Sequence, residues 1–185
     1  MADEQGQVRT EELDPQAEAT RRLALAQIRQ YPDPVLRLRA EEIEAFDRDL
    51  EQLVTRMTRL MLDARGVGLA ANQVGVLRRV FVFQADEEAE PQALVNPEIV
   101  ERSDETESED EGCLSLQGVV VPVERALRLR LRALDPAGRP VELELEELAA
   151  RVAQHEVDHL DGVLIVDRTT AEGRREALAV LRQAV

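Results

Sequence analysis

Two stretches of alternating residues constrain the fold of this chain more than any other feature. Leucines alternate with arginines over residues 127–132, and apolar residues alternate with glutamates over residues 141–146. A period of two is typical of β-strands that bury one face. The segment between them, Asp-Pro-Ala-Gly at 135–138, favours a turn. The sequence therefore predicts an antiparallel hairpin in which a row of arginines lies against a row of glutamates.

Helical patterns lie on both sides of this hairpin. Apolar residues recur at helical spacing over residues 44–64, and residues 147–160 and 173–184 are also predicted to be helices. Because the strands follow one another and the helices are set apart, we expect an α+β fold. Its small antiparallel or mixed sheets should pack around the central helix 147–160, with an N-terminal and a C-terminal helix.

The remaining segments carry weaker signals. Short β-rich runs occupy residues 80–84 and 93–95, and the acidic run 101–111 is either a solvated loop or an edge strand protected by its charge. Residues 1–26 are acidic and poor in large apolar side chains, which predicts a flexible extension or a weakly held helix. We expect residues 27–185 to form a single domain, because the chain of 185 residues has the length of one domain.

Composition excludes several classes of function. A net charge of -15 and an aromatic content of 2% argue against binding to DNA or to an anionic membrane. No apolar run is long enough to cross a bilayer, and the acidic N-terminus lacks the features of a signal peptide. We therefore expect a cytoplasmic protein. The chain contains no lysine, which excludes Schiff-base chemistry on a side chain.

The only two histidines of the chain lie four residues apart in the predicted helix 147–160. On a helix, His155 and His159 project from one face about 5–6 Å apart, which suits two ligands of one metal ion. Glu156 follows the first histidine, where a carboxylate can move protons at the open side of the ion. A chance pair on a helix surface is the simpler alternative, but the preceding residues 148–154 are apolar enough to hold a largely buried helix.

Cys113, the only cysteine, lies in the segment Glu-Gly-Cys-Leu-Ser at 111–115. A lone intracellular cysteine is most often a plain buried residue. Here it follows a glycine, and two histidines plus one cysteine leave the open fourth position of a catalytic ion. A nucleophilic Cys113 with a histidine base is the competing interpretation, which leaves the spacing of the histidines unexplained.

A third motif, Gly-Val-Gly-Leu-Ala-Ala-Asn-Gln, occupies residues 66–73. As a nucleotide-binding loop it is weak, because it lacks the required glycine spacing. It is either a glycine turn that leads into the core or a place where a peptide backbone can lie alongside. In the second case Gln73 can offer an amide N–H to a developing oxyanion.

Together the three motifs resemble those of the peptide deformylase family, with Gly-φ-Gly-φ-Ala-Ala-x-Gln, then Glu-Gly-Cys-φ-Ser, then His-Glu-φ-Asp-His (φ apolar). The resemblance extends over about residues 28–168 and includes Pro-Asp-Pro-Val-Leu at 32–36 and Leu-Val-Asn-Pro at 94–97. It implies a metal-dependent hydrolase that removes the formyl group from the N-terminal formyl-methionine of newly synthesised polypeptides and releases formate. Residues 27–185 would then be the catalytic domain.

The resemblance also implies roles for individual residues. Cys113, His155 and His159 would bind one divalent ion, usually Fe²⁺ in this family and exchangeable for Zn²⁺, Ni²⁺ or Co²⁺. Hydroxide at the fourth position would attack the formyl carbonyl, and the ion, the Gln73 amide and the Leu114 backbone N–H would stabilise the oxyanion. Glu156 would take the proton of the water and deliver it to the leaving amine.

The substrate-binding residues are also carried over from the family. Gly68 would pair with the substrate backbone, and the candidates for the methionine pocket are Gly66, Val67, Glu111, Leu148 and Val152. This chain has Glu124-Arg125 where many members have Pro-Arg, and Val120 where some have arginine, so the resemblance leaves preferences beyond methionine open. Arg125 is expected to pair with Asp158 and so to steady the histidine helix, unless it is an ordinary surface arginine.

Two other functions fit part of these observations. A zincin-like metallopeptidase shares His-Glu-x-x-His but usually takes its third ligand downstream, where this chain has no further histidine. A catalytically inactive, metal-stabilised domain would not need Glu156 or Gln73. For a deformylase the expected partners are formyl-methionyl nascent peptides and, through a weak, salt-sensitive contact, the ribosome; we expect a monomer.

Overall fold

A computed structural model of the chain describes residues 14–183. The helices are α1 Pro15–Leu25, α2 Arg48–Asp63, α3 Glu147–Leu160, α4 Ile165–Arg168 and α5 Ala171–Gln183. The strands are β1 Gly68–Ala70, β2 Val80–Phe83, β3 Gln92–Arg102, β4 Thr106–Gly112, β5 Val120–Ala126, β6 Arg128–Leu134 and β7 Pro140–Glu146. Single 3₁₀ turns span Pro34–Arg37 and Ala71–Val74. The predicted α+β class is confirmed.

The strands form two antiparallel sheets. The larger sheet has the order β1-β2-β3-β6-β7, and the smaller one pairs β4 with β5. In the β6–β7 hairpin, Leu131 lies opposite Leu143 and Arg130 lies opposite Glu144. The predicted apposition of an arginine row with a glutamate row is therefore confirmed, and Arg130 also forms an ion pair of 3.1 Å with Glu142.

Helix α3 lies at the centre of the molecule. It contacts β1, β2, β6 and β7 of the larger sheet and β5 of the smaller one. Every residue from Ala150 to Leu160 is buried, including the polar ones. Alanine and valine at positions such as Ala150 and Val157 pack into the core, which lets the backbones of helix and sheet approach closely. The burial of the polar residues in α3 requires partners inside the protein.

Several predicted boundaries differ from the observed ones. Helix α2 begins at Arg48 and not at residue 44, because the Asp47 side chain accepts a hydrogen bond from the Leu50 N–H and caps the helix. Helix α5 begins at Ala171 and not at 173, because the Thr170 hydroxyl accepts from the Gly173 N–H. The predicted end of this helix, residue 184, lies outside the described residues.

The acidic run of residues 101–111 contains most of a strand. Residues 106–112 form β4, which pairs with β5, so the edge-strand alternative is the observed one. The acidic side chains from Glu107 to Asp110 are exposed, and charge on an edge strand hinders its pairing with another chain. Strand β3 is also longer than the predicted run 93–95, since both β2 and β6 pair with it.

Helix α1 covers one side of α2. Its first turn is capped by Asp14, whose side chain accepts hydrogen bonds of 2.9 Å from the N–H groups of Gln16 and Ala17. At its other end Ala24 and Leu25 are buried in the core. Residues 1–13 lie outside the described residues. Within the described part of the chain, no helix is both long and apolar enough to span a membrane.

Candidate metal centre

Helix α3 brings the two histidine side chains together. Residues four apart lie one above the other on a helix face. The Nε2 atoms of His155 and His159 are 3.1 Å apart, and both side chains are buried. Neutral imidazole nitrogens that both point to one spot present two lone pairs there, which is a metal-binding arrangement.

Cys113 supplies the third donor from the tight turn after β4. Its Sγ lies 3.3 Å from Nε2 of His159, and the three ligand atoms all lie within 4.8 Å of one another. In a tetrahedral site with bonds of about 2.0–2.3 Å, donor atoms are separated by roughly 3.3–3.8 Å. The donor types fit one divalent transition-metal ion, and their separations, from 3.1 Å to at most 4.8 Å, lie on both sides of this range. The third ligand comes from upstream, unlike the usual zincin arrangement.

Burial raises the pKa of the Cys113 thiol to about 12. A nucleophilic cysteine needs a pKa that the protein itself lowers, whereas a bound metal ion deprotonates a coordinating thiol, so this environment suits a metal ligand better than a Cys–His nucleophile. Burial also lowers the pKa of His159 well below its usual range. A neutral His159 retains the lone pair that a metal ligand needs.

Glu111 orients the ring of His155. Its Oε2 lies 3.0 Å from Nδ1 of His155, which leaves Nε2 of that ring pointing towards Cys113 and His159. Arg125 and Arg151 also donate to the same carboxylate. Burial alone would raise the pKa of Glu111, but the hydrogen bonds from His155 and Arg125 outweigh it and hold that pKa below its usual range. Glu111 is therefore a carboxylate at neutral pH.

The pairing predicted between Arg125 and Asp158 is confirmed. Arg125 Nη1 donates to Asp158 Oδ2 at 2.6 Å, and Arg168 donates to the same carboxylate from α4. Because Arg125 contacts Glu111 and Asp158 together, it joins β4 to the helix that carries both histidines. This network fixes α3 relative to the Cys113 turn.

Glu156 is a buried acid beside the three ligands. Its Oε2 has no hydrogen-bond partner among the described residues. A Cβ atom built on Gly68 would lie only 2.3 Å from Glu156 Oε1, so the carboxyl group lies directly against the glycine backbone. Burial, and then the negative charge of Glu111, raises the pKa of Glu156 well above its usual range. An unpartnered buried acid costs stability, which points to a functional role.

The Gln73 side chain is held with its N–H groups towards the ligands. Its Oε1 accepts a hydrogen bond of 2.9 Å from the Ala70 N–H. Its Nε2 donates to the Ser115 hydroxyl at 3.0 Å and lies 3.8 Å from the Cys113 sulfur. The 3₁₀ turn Ala71–Val74 thus places an oriented amide donor at the edge of the site.

Leu114 lies next to the cysteine and touches the glycine motif. A Cβ on Gly66 would come within 2.7 Å of Leu114 Cδ1. Gln30 donates to the Leu114 carbonyl at 2.9 Å, which fixes the backbone of the turn. The glycine motif and the cysteine motif are therefore in direct contact at Gly66 and Leu114.

The candidate pocket residues fall into two groups. Val67, Leu148 and Val152 belong to one apolar cluster that packs between α3 and the larger sheet. Glu111 is instead fully buried behind His155, and its carboxylate oxygens are hydrogen-bonded to arginines and to that histidine. The substrate contacts of these residues, and of Gly66 and Gly68, stay predictions.

Sequence reasoning missed four supporting residues. The Asn72 side-chain amide donates to the carbonyl of His159, and the Ser115 hydroxyl accepts from Gln73. Arg151 donates to Glu111 at 2.9 Å, and Arg168 to Asp158. Asn72 and Ser115 lie inside the recognised motifs. Arg151 lies one helical turn before His155, but its carboxylate partners are on β4, and no local pattern reveals that contact.

Comparison with known proteins supports one assignment for this site. The family model described as polypeptide deformylase matches residues 25–175. A peptide deformylase of Acidothermus cellulolyticus is 46% identical over 162 residues, which covers 88% of each chain. A crystal structure of a peptide deformylase from Legionella pneumophila superposes with a TM-score of 0.80 at 41% identity, covering 84% of this chain and 92% of that one.

A second crystal structure agrees. The peptide deformylase of Thermotoga maritima superposes with a TM-score of 0.75 at 48% identity, over 77% of this chain and 96% of that chain. The family model spans well over half of the chain, and these relatives agree with it in sequence and in fold. The chain therefore belongs to the polypeptide deformylase family.

Proposed function

We propose that this protein hydrolyses the N-formyl group of formyl-methionyl nascent peptides with one divalent ion held by Cys113, His155 and His159. The observation that carries the proposal is the buried Glu156, whose Oε2 has no hydrogen-bond partner among residues 14–183, beside these three converging donors. A purely structural ion site needs no such acid. The chain belongs to a family of hydrolases, so we assign Glu156 a role in proton transfer during hydrolysis.

The ligand set limits the choice of ion. When bound, such an ion supplies Lewis-acid activation of water and of a carbonyl oxygen. A thiolate with two imidazoles accepts several first-row ions, and affinity order alone does not decide cellular loading. We propose Fe²⁺ from the resemblance to the family, with Zn²⁺, Ni²⁺ and Co²⁺ as functional substitutes. Metal analysis of anaerobically purified protein tests this choice.

Glu156 is proposed to act as general base and then as general acid. Burial, and then the negative charge of Glu111, raises its pKa well above the usual range, which favours uptake of a proton from water. Its contact with Gly68 keeps the carboxyl group at the wall along which a substrate backbone would lie. In this position Glu156 takes a proton from the attacking water. It delivers this proton to the amine nitrogen when the C–N bond breaks, which releases formate and the free amine of the peptide.

Two hydrogen-bond donors are proposed to stabilise the developing oxyanion. The Gln73 amide is oriented by Ala70 and Ser115 before any substrate arrives. The Leu114 backbone N–H follows the cysteine ligand directly, in a turn fixed by Gln30. Donors whose orientation is set in advance need no reorganisation during the reaction, and removing one such donor typically costs about 10²–10³ in kcat.

The substrate is proposed to lie between the glycine motif and the cysteine turn. The backbone of Gly68 would pair with the substrate backbone. Glycine is required at this position because a side chain would collide with Glu156. Val67, Leu148 and Val152 would form the apolar wall of the methionine pocket; Leu148 is partly exposed, whereas Val67 and Val152 are buried. Gly66 would leave room beside Leu114. For Glu111 we propose an indirect part, because its carboxylate holds His155.

We further propose a cytoplasmic monomer that meets nascent chains at the ribosome through a weak contact. Helix α5 offers exposed arginines, Arg174 and Arg175, on an otherwise acidic chain. Such a contact would be screened by salt. We expect co-sedimentation with ribosomes at low ionic strength only. Co-sedimentation that persists at high salt would contradict an electrostatic contact, and sedimentation of the free protein measures its oligomeric state.

Glu156→Gln tests the proposed reaction, because it keeps size and polarity but removes the titrating proton. We expect formate release from a formyl-methionyl tripeptide to fall about 10²–10⁴-fold while the metal content stays at the wild-type level. The matched control is Glu109→Gln, an acid on β4 whose side chain is 54% exposed. Undiminished formate release by Glu156→Gln would refute the proposed mechanism.

A further inference from the structure

Helix α1 forms one wall of a cavity that opens at the cysteine ligand. The cavity has a volume of about 330 Å³. The turn after β4 and the start of β5 contribute Cys113, Leu114 and Val120 to its lining, and α1 contributes Arg21 and Leu25. The family model matches from residue 25 onwards, so nearly all of α1 lies outside the part of the chain that the family pattern describes.

The position of Arg21 is fixed by its helix. Arg21 and Leu25 are one turn apart and face the same side, and Leu25 is buried with Ala24 in the core. Arg21 Nε donates to the carbonyl of Ala64, the C-terminal cap of α2, at 3.4 Å. The side chain is half-buried. Its guanidinium group is therefore held at the cavity wall and does not extend freely into solvent.

The cavity has a positive wall on an acidic protein. Arg21 is the one charged residue among its lining residues, and the remainder are apolar apart from Gln117. Over residues 14–183, no carboxylate lies within ion-pair distance of Arg21. Among the described residues its outer N–H groups have no carboxylate partner, and a guanidinium group binds carboxylates better than it binds neutral acceptors.

We propose that Arg21 is a specificity-determining residue that binds an acidic side chain on one of the first residues after formyl-methionine. The inference rests on the proposed function. Gly68 lies against Glu156, Gly66 lies against Leu114, and the Ala64 carbonyl that Arg21 contacts is two residues further on. Cys113 and Arg21 line the same cavity of about 330 Å³. At about 3.3 Å per residue, an extended peptide whose formyl group lies at Cys113 therefore brings its second or third residue to Arg21.

The test compares formyl-peptides that differ by one charge. We would measure kcat and KM for formyl-Met-Asp-Ser and formyl-Met-Asn-Ser, and for the pair with Asp or Asn in the third position. All four peptides are amidated at the C-terminus, which removes the terminal carboxylate as a ligand. A fifth peptide, formyl-Met-Ala-Ser with a free terminus, shows whether a terminal carboxylate also binds.

At low salt, the kcat/KM of the wild-type protein should be about 5-fold higher for the Asp peptide than for the Asn peptide at one of the two positions. The difference should come from a lower KM for the Asp peptide. Arg21→Gln should abolish that preference and keep the rates on Asn peptides within about twofold, whereas Arg21→Lys should retain part of it. Arg22→Gln is the matched control, because Arg22 is 79% exposed and pairs with Glu18. It should leave the preference unchanged.

Three results would overturn the inference. In the first, the wild-type protein shows no preference for Asp at either position. In the second, the Arg21→Gln variant keeps the preference. The latter would mean that Arg21 only caps α2, a role that changes thermal stability but not the Asp/Asn ratio. If the wild-type protein hydrolyses none of the peptides, the proposed function fails, and the inference fails with it.

Discussion

At the scale of single residues, the site depends on contacts that only one residue type satisfies. Gly68 is the clearest case, because a Cβ there would lie 2.3 Å from Glu156 Oε1 and 2.9 Å from its carboxyl carbon. Glu156 is buried and has little room to move. The backbone of β1 and the proton-transferring acid therefore constrain each other.

The substitution Gly68→Ala should displace the Glu156 carboxyl group and block the approach of a substrate backbone. We expect kcat/KM for a formyl-methionyl peptide to fall about 10²-fold, as is typical when a catalytic group is misplaced by about 1 Å. Metal content should stay at the wild-type level, since no ligand moves. Kinetics and metal analysis on the same sample measure both. Wild-type kcat/KM in this variant would show that the contact has no catalytic importance.

Glu111 shows how one buried charge supports several others. It binds Arg125, Arg151 and His155, so Glu111→Gln leaves two buried arginines with a weaker partner. Removing one member of a buried ion pair costs about 3–5 kcal/mol. Loss of the partner of a histidine ligand typically weakens metal binding about 10–100-fold.

Urea unfolding and metal titration of Glu111→Gln measure these two effects. Glu109→Gln is the control, since Glu109 lies on the same strand and contacts Arg151, but its side chain is 54% exposed. It should cost less than about 1 kcal/mol. If the two variants unfolded at the same urea concentration, Glu111 would not be the centre of the network.

At the scale of helices and strands, local patterns predicted what local interactions determine. Helix α3 has the predicted bounds, and the β6–β7 hairpin has the predicted apposition of charges. The predicted end of a helix was wrong where a side-chain cap determines it, as Asp47 does at the start of α2. The pairing of β4 with β5 could not be read from the sequence, because an acidic run suits a loop as well as an edge strand.

Asp167 connects two elements that are distant in sequence. Its carboxylate is hydrogen-bonded to Arg37 in the first 3₁₀ turn and accepts from the Leu164 N–H at 2.9 Å before α4. Burial would raise the pKa of Asp167, but the hydrogen bonds from Arg37 and the Leu164 N–H, together with the charges of Arg37 and Arg174, outweigh it, and the pKa lies below its usual value of 3.8. A group whose pKa is lowered by folding stabilises the folded protein at every pH above its pKa in the unfolded state. This stabilisation is lost as the pH falls through the pKa of the folded state.

Asp167→Asn keeps the cap for α4 but removes the charge. At pH 7 we expect it to lower the free energy of unfolding by about 0.5–1 kcal/mol, the range of a partly exposed ion pair. The difference from the wild-type protein should shrink below pH 3.8 and vanish once Asp167 is protonated in both states. Urea midpoints across this pH range measure it. A difference that grows towards low pH would contradict the assigned pKa shift.

At the scale of the whole molecule, the fold brings two distant segments, the Cys113 turn and helix α3, to one point. The sequence predicted Cys113, His155 and His159 as the candidate ligands, because they are every histidine and cysteine of the chain. It could not show that Glu111 and Arg125 hold the turn of Cys113 against α3, since those contacts join distant segments. Nor could it show that α1 brings Arg21 to the cavity beside Cys113.

The central claim is that this three-residue centre holds the ion on which formyl hydrolysis depends. The most direct measurement determines metal content and formate release from a formyl-methionyl peptide in the same anaerobically purified sample, for the wild-type protein and for Cys113→Ala. The account predicts about one ion per chain with formate release for the wild type, in line with a single three-donor site, and loss of both in the variant. Formate release by a metal-free Cys113→Ala sample, or full metal occupancy in that variant, would contradict it.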